Sequence, residues 1–480
     1  MARDLVAGID SSTQSCTVQL RRVDDGLAVA QARAPHPTTT PPLSEQAPEA
    51  WWEALKACLS QLKSHLPQIA AISVGGQGHG LVMLDEAGRS LRPAKLWNDT
   101  QSAPDAKRLL EALPAAEWAR RTGSVPAPAL TVSKLAWTER NHPGLVAKAR
   151  RIMLPFDYIV FRLGGHAVTE RGGSSGTGYF NPFDNGWDFE LASLAVPGVD
   201  WEGKLPEIVP SNARAGIVGD AADLDALTGA VVGAGTGDNM TAALGLNVLE
   251  GDTVISLGTS GTIYGRFRAG GVKDASGAIN GYADAANAFL PMVTTLNAAK
   301  VTDAIRGLLD ISFEAFDKLA LAAPPGADGL VLTPYFDGER TPNLPDATGT
   351  LHGMRSNITR AGIARATIEG VLCGLLEGGD LLSRNGVPWN GRLILTGGAA
   401  RSKAYRQILA DLTGRSVWIC SVTETAAAGA AVQAAAALTG TSTDEVAAAW
   451  APRLEIAAEP IATDNTAVRQ AYRNALAPLL

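Results

Sequence analysis

Residues 6–20 read "VAGIDSSTQSCTVQL": an apolar run ends on Asp10, passes through Ser11, Ser12 and Thr13, and resumes as a second apolar run. Short apolar runs separated by small polar residues predict a strand, a tight turn and a second strand. A carboxylate at a strand end, followed at once by hydroxyls, is placed to hold a metal ion or a phosphate. The same order returns at residues 252–265, "DTVISLGTSGTIYG", with Gly258, Thr259 and Ser260 in the turn. Strand, phosphate-sized turn and strand near the start of each half predict an internal duplication.

Outward from these two stretches the chain alternates strand-like and helix-like segments. "APEAWWEALKACLSQLKSHL" (47–66) repeats its apolar residues at helical spacing, and "IAAISVGGQ" (69–77) is a strand running into glycines. "VVGAGTGDNMTAALGL" (231–246) is a strand, a glycine turn, Asp238 and a helix of small residues. "LILTGGAARSKAYRQILADLTGRSVWI" (393–419) is a strand, the pair Gly397-Gly398, a helix stopped by Gly414, and another strand. This alternation predicts an α/β fold, sheets covered by helices. With 480 residues the chain exceeds one core of roughly 150 residues, so two large domains are expected, 1–247 and 248–480, with 105–230 an insertion in the first.

The net charge of −7 argues against nucleic acid or an anionic membrane as a partner, since both require a concentrated positive field. Residues 1–10 have no signal-peptide pattern, and Thr425 to Thr443, mostly alanine with Gln433 inside, predicts a buried helix packed on a sheet, not a membrane span. Cys16, Cys58, Cys373 and Cys420 are dispersed, which points to reduced thiols in the cytoplasm and to neither zinc nor disulfides. The six histidines form no metal motif, leaving oxygen-ligated magnesium as the expected metal.

Phosphate-binding logic narrows the chemistry. No G-x-x-x-x-G-K-[ST] occurs, and no G-x-G-x-x-G follows the first strand. The nearest imitation, "GAGTG" at 233–237, is followed by Asp238, whose charge would repel a pyrophosphate but suits a base beside a hydroxyl. Each glycine turn alone also reads as a tight hairpin. Two of them facing across a cleft, with a third at Gly397-Gly398, would cradle a triphosphate on backbone N–H groups.

Six further stretches carry a resemblance: "GGQGHGLVMLDEAG" (75–88), "LWNDTQS" (96–102), "GDN" (237–239), "PYFDGERTP" (334–342), "IARATIEGVLCGL" (363–375) and "LTGGAARSKAYRQILAD" (395–411). With them the chain resembles the FGGY carbohydrate kinases over about Leu5 to Thr439, and among these the xylulokinase branch. The resemblance implies two duplicated actin/Hsp70-like (ribonuclease H-like) domains with an interdomain cleft. It implies ATP and Mg2+, and phosphorylation of a ketopentose, D-xylulose, to D-xylulose 5-phosphate in xylose catabolism. Asp238 would be the general base and Asp10 would organise Mg-ATP as the metal-side carboxylate. Ser12, Thr13, Gly258, Thr259 and Ser260 would lie by the phosphates, and Gly397, Gly398 and Ser402 by the adenosine. Gln77, Gly78, His79, Asn98 and Asp99 would join Asp238 in binding the sugar.

Three positions depart from the family pattern: Ser12 stands in a glycine's place, Gly78 in a methionine's, and Thr17 where many relatives have lysine. Plainer readings stand beside the functional ones. Asp238 also suits a helix N-cap, His79 a turn, Trp97 the core, Trp51-Trp52 the core or a subunit contact, and Glu339 with Arg340 a structural ion pair, the alternative for that pair being to line the cleft. The resemblance also admits a homodimer. The rival functions are a kinase for another ketose or polyol, such as ribulose or glycerol, and an actin-fold ATP-binding sensor.

Overall fold

The computed structural model describes residues 3–219, 222, 224–461 and 465–480. Its first sheet contains β1 (Leu5–Ser11), β2 (Ser15–Arg22), β3 (Ala28–Pro35), β4 (Ile69–Gly76), β5 (Arg214–Ile217), β6 (Val231–Gly233) and β7 (Thr236–Gly237). The second contains β8 (Thr253–Leu257), β9 (Gly261–Gly265), β10 (Met292–Thr295), β11 (Leu393–Thr396), β12 (Val417–Cys420) and β13 (Leu454–Ala458). The first runs β5-β6-β4-β1-β2-β3, with β7 also on β4, and the second runs β13-β12-β11-β8-β9-β10. Corresponding neighbours agree in sense throughout: the hairpin pairs and the outer pairs are antiparallel, the two central pairs parallel. The duplication expected from the two strand-turn-strand stretches is therefore present across whole sheets. The one difference in order lies at the outer strand, which precedes its neighbour in the first sheet and follows it in the second.

The central strands are apolar on both faces because both faces are covered. Helix α1 (Pro48–Gln61) packs on β2 and β3 and buries Trp51 and Trp52, so these tryptophans are core. Helix α2 (Pro155–Gly164) packs on β4, β5 and β6. It lies within the expected insertion, as does β5, so residues 105–230 are not a pure elaboration: they supply an edge strand and a covering helix to the main layer. Periodicity could not reveal this, because an insertion and a layer element carry the same amphipathic pattern.

Three more helices define the space between the sheets' supporting layers: α3 (Asp238–Gly245), the long α4 (Arg360–Arg384) and α5 (Lys403–Thr413). The alanine-rich α6 (Thr425–Thr439) is a buried helix on a sheet, as expected, but the sheet is the first one: α6 packs on β1, β4 and β6 and against α3. Small residues permit the approach. A Cβ at Gly429 would lie 1.7 Å from the Thr241 carbonyl oxygen, and one at Gly8 1.9 Å from that of Ala427. Gln433, fully buried, accepts from Ser73 Oγ at 2.8 Å and donates to the Gly235 carbonyl at 3.2 Å. Val6, Ala71, Leu244, Val254, Ile394 and Ala431 belong to one apolar cluster that joins the halves beneath the cleft. Among the described residues no helix is long and apolar enough to cross a membrane.

Candidate active site

Three adjacent strand ends form the floor of the first sheet's cleft. Asp10 of β1 is level with Gly75 of β4, which is level with Thr236 of β7, and Gly76 is level with Gly237. Asp238 follows directly. Two carboxyls therefore flank the glycine end of β4, which carries no side chains between them. Packing explains the glycine: a Cβ at Gly76 would sit 2.9 Å from Phe156 Cβ of α2.

Both carboxyls lie deep in protein yet keep part of their surface open to the cleft. Burial pushes Asp10 up to about 7, reinforced by the charges of Asp238 and Glu424 and opposed by the Ser12 hydroxyl, which donates to Oδ1, and by Arg33. Thr17, opposite Asp10 on β2, offers no cation of its own. Burial raises Asp238 to about 6. Among the described residues its hydrogen bonds fall on Oδ1, from Asn239 N at 2.8 Å and Asn239 Nδ2 at 3.2 Å, leaving Oδ2 for a ligand. The helix cap is Gly237, and Asp238 is the first helical residue, so the expected N-cap role falls to its neighbour.

A carboxylate the sequence reading missed braces this loop. Glu170, fully buried, accepts from Gly173 N at 2.7 Å, Gly172 N at 2.9 Å, Ser211 Oγ at 3.0 Å and the Thr236 hydroxyl. Thr236 lies two residues before Asp238. Glutamate ahead of "RGG" was the available signal, an N-capping acid before a glycine turn.

The first turn is buttressed by side chains. Ser12 N donates to Ser15 O at 3.1 Å, His36 Nδ1 to Ser12 O at 2.8 Å, Gln46 Nε2 to Thr13 O at 3.1 Å and Trp97 Nε1 to Thr13 Oγ1 at 2.9 Å. Trp97 is thus half-buried and ties the Asp10 turn to the loop bearing Asn98. The second turn, Gly258 to Ser260, is open: Gly258 and Thr259 are exposed, with Gly258 N on Ser260 O at 3.0 Å. Gly397 and Gly398 lie alongside, since Ser256 and Thr396 are paired in β8 and β11. Gly397 has φ 80° and a Cβ there would meet the Leu257 carbonyl oxygen at 2.4 Å, whereas a Cβ at Gly398 would meet nothing within 4 Å. Ser402 is occupied as the cap of α5, accepting from Tyr405 N at 3.1 Å and donating to Asp317 at 2.7 Å.

Just past the glycine end of β4, beside Asp238, polar groups lie without partners. Gln77 is buried with neither amide atom hydrogen-bonded, and Asn98 Oδ1 is likewise unpaired. An unsatisfied buried amide costs about 1–3 kcal/mol, so these atoms mark a place where something polar belongs. Nothing lies within 4 Å of the missing Cβ of Gly78. His79, at φ 64°, donates from Nδ1 to the Gly176 carbonyl at 2.9 Å, and burial with the charges of Lys134 and Arg340 pushes it down to about 3. The ring is neutral and Nε2 is an acceptor. Asp99 differs from its neighbours: it has no exposed surface and accepts from Ser44 N at 2.9 Å and from Lys95 Nζ and Gln101 N at 3.1 Å. It supports the loop that presents Asn98.

Two residues reach this place from beyond β9. Tyr282 lies against His79, ring centroids 5.2 Å apart. The Arg340 guanidinium donates to Asn280 Oδ1 at 3.4 Å, and its charge bears on the Tyr282 hydroxyl. The expected Glu339 to Arg340 ion pair does not form: Glu339 turns inward to Leu296 N at 2.6 Å, Asn297 Nδ2 at 2.9 Å and the Arg340 backbone N at 2.7 Å.

Comparisons with known proteins agree along the chain. The FGGY family of carbohydrate kinases matches through its N-terminal domain at residues 5–245 and its C-terminal domain at 253–438. The xylulose kinase of Streptomyces rubiginosus is 42% identical over 95% of this chain and 92% of its own length. That of Haemophilus influenzae is 35% identical over 81% of each. The crystal structure of xylulose kinase from Bifidobacterium adolescentis superposes with a TM-score of 0.85 at 34% identity, covering 98% of this chain and 99% of that one. Plasmodium falciparum glycerol kinase with ADP, at 19% identity and TM-score 0.88 over 100% and 99%, shares the fold.

Proposed function

The chain belongs to the FGGY family of carbohydrate kinases, and from that premise we propose that it transfers the γ-phosphoryl group of ATP to the 5-hydroxyl of D-xylulose, giving D-xylulose 5-phosphate in xylose catabolism. The observation that carries the reading is the pairing of Asp238, with a free Oδ2, and the partnerless amide of Gln77 beside it.

Phosphoryl transfer asks the protein to position an alcohol, neutralise the γ-phosphate and exclude water. Asp238 Oδ2 accepts the proton of the attacking hydroxyl. A carboxyl at about 6 is still mainly ionised at pH 7 and is a stronger base than a free one, which suits the task. Gln77, Asn98 and His79 Nε2 offer donors and acceptors to the remaining hydroxyls, with Asp99 holding their loop. Ser12, Thr13 and the turn from Gly258 to Ser260 take the phosphates, and Gly397 and Gly398 offer a bare surface to the adenosine. The residues 1–247 then serve as the sugar domain and 248–480 as the nucleotide domain, in a cytoplasmic enzyme.

The donor set at Asp10, a carboxylate beside a hydroxyl, suits a hard cation, whose charge would offset the burial and the Asp238 and Glu424 charges that raise this carboxyl to about 7. Magnesium bound there with ATP would neutralise phosphate charge. Asp10 would hold it as one protein carboxylate, as is usual for magnesium bound together with substrate phosphates.

The test is ADP release with Mg-ATP and D-xylulose, L-xylulose, D-ribulose, L-ribulose, glycerol or no sugar, run beside Asp238→Ala. Stimulation by D-xylulose, reduced about a hundred- to ten-thousand-fold in the variant, is expected. Stimulation chiefly by another polyol would move the substrate assignment; the open space at Gly78 favours this second reading. No stimulation by any sugar, with nucleotide still bound, would sink the kinase in favour of a sensor.

A further inference from the structure

The sugar end of the cleft is roofed by two side chains from the second half of the chain that no motif assigned to the substrate. We propose that Tyr282 and Arg340 bind the hydroxymethyl-ketone end of the sugar, remote from the phosphorylated hydroxyl, and so set the choice among ketoses. The inference rests on the kinase reading above.

Tyr282 is fixed where it stands. Its neighbours bond across to the first half, Gly281 N to Gly123 O at 2.7 Å and Ala283 N to Ser175 Oγ at 3.2 Å, and its own ring is buried against His79. Arg340 has a rigid mount and a loosely held head. Glu339 locks the backbone on which it sits, while among the described residues the half-buried guanidinium has only the long bond to Asn280 and lies near the Tyr282 hydroxyl. A guanidinium carries five N–H donors, so most are uncommitted. Its bond to Asn280, two residues from the Tyr282 that lies on His79, places it at the sugar end of the cleft, where its charge bears on His79 and Lys134. Lys134 is no substitute, because its Nζ is spent on the carbonyls of Pro128, Ala129 and Leu130.

Chemical complementarity points the same way. Asp238 and His79 Nε2 only accept, and Gln77 and Asn98 each contribute one neutral amide donor group. A ketone oxygen also only accepts, so a pocket for an open-chain ketose needs a strong donor at the end away from Asp238. Arg340, oriented by Tyr282, is that donor.

The experiment compares kcat/KM for D-xylulose and 1-deoxy-D-xylulose, which lacks the remote hydroxyl, in wild type, Arg340→Lys and Tyr282→Phe, with KM for ATP measured alongside. Arg340→Lys keeps the charge and loses the fork. Expected are a rise in KM for D-xylulose of about tenfold or more, a fall of the two-sugar ratio towards one, and KM for ATP within about twofold of wild type. Tyr282→Phe, which deletes one oxygen and keeps the ring on His79, should move the ratio the same way by about two- to fivefold and stands in if the arginine variant misfolds. An unchanged ratio in folded variants, or losses equal for both sugars and accompanied by a matching rise in KM for ATP, overturns the inference while leaving the kinase intact. A wild type that no ketose stimulates overturns the kinase reading itself, and this inference with it.

Discussion

The turn after β1 and the turn after β8 occupy the same corner of two sheets with the same strand order, yet they are built for different work. The first carries Asp10 one residue before its last paired position and is propped by His36, Gln46 and Trp97. The second has Ser256 at the matching position and exposed backbone in the turn itself. Duplication supplied two phosphate-sized turns; one acquired an acid and a frame of side chains, and the other is held, among the described residues, by backbone alone, Ala298 N on Thr259 O at 3.3 Å and Ala299 N on Gly258 O at 2.9 Å, and keeps an exposed face. On the mechanism proposed above, a fixed acid would serve chemistry, where a displacement of a fraction of an ångström matters, while an exposed turn would serve binding, where adaptability is tolerable.

The sharpest way to break this comparison is to remove the matching side chains. Asp10→Asn should lower kcat about a hundredfold or more, whereas Ser256→Ala should leave kcat within about threefold. Equal losses in steady-state assays would mean that the turns had not specialised.

Proton linkage separates the turns next. Asp10 titrates near 7 in the folded protein and near 3.9 when unfolded, so folding favours its protonated form. Its contribution to stability is complete below about pH 4 and is lost as pH rises through 7. Asp10→Asn should therefore gain on the ligand-free wild type between pH 4.5 and 8, by about 2 kcal/mol after allowing for the carboxyl's contact with solvent. Ser256→Ala should show no such trend. Urea unfolding at the two pH values checks both, and a pH-independent difference for Asp10→Asn would refute the linkage.

The smallest effects distinguish the two glycines beside the bare turn. Gly397→Ala meets the Leu257 carbonyl oxygen and an unfavourable φ, and should cost about 1–3 kcal/mol of stability. Gly398→Ala meets nothing and should leave stability within about 0.5 kcal/mol, raising KM for ATP a few-fold if the adenosine lies there. Thermal melts with ATP kinetics read both, and a Gly398→Ala enzyme with unaltered KM would remove that glycine from the nucleotide site.

Most of the sheet framework was legible in the sequence, because strands ending in glycine or Asp turns announce themselves over a few residues. What the sequence hid was the partnership of distant segments. The alanine-rich α6 has no distinct apolar face, so nothing in residues 425–439 tells which sheet it covers. Asp99 looked like Asn98 in a polar loop, and only the fold brings Ser44 and Lys95 to its carboxylate. Glu339 and Arg340 read as a pair by adjacency, whereas a loop can turn adjacent side chains to opposite sides, one into the core and one into the cleft. Glu170 lies 68 positions before Asp238 in the chain and two side chains away through Thr236.

The placement of α6 has a consequence for how the molecule is made. The central strands β1 and β4 are synthesised within the first 76 residues, but the helix that seals one face of them is the stretch from Thr425 to Thr439. A nascent chain on the ribosome thus carries an unsealed apolar face through most of its translation, and its earliest half is among the last to be completed. A premature stop anywhere before α6 leaves a sticky fragment, not a smaller working domain, and quality control meets this protein as a single unit of assembly.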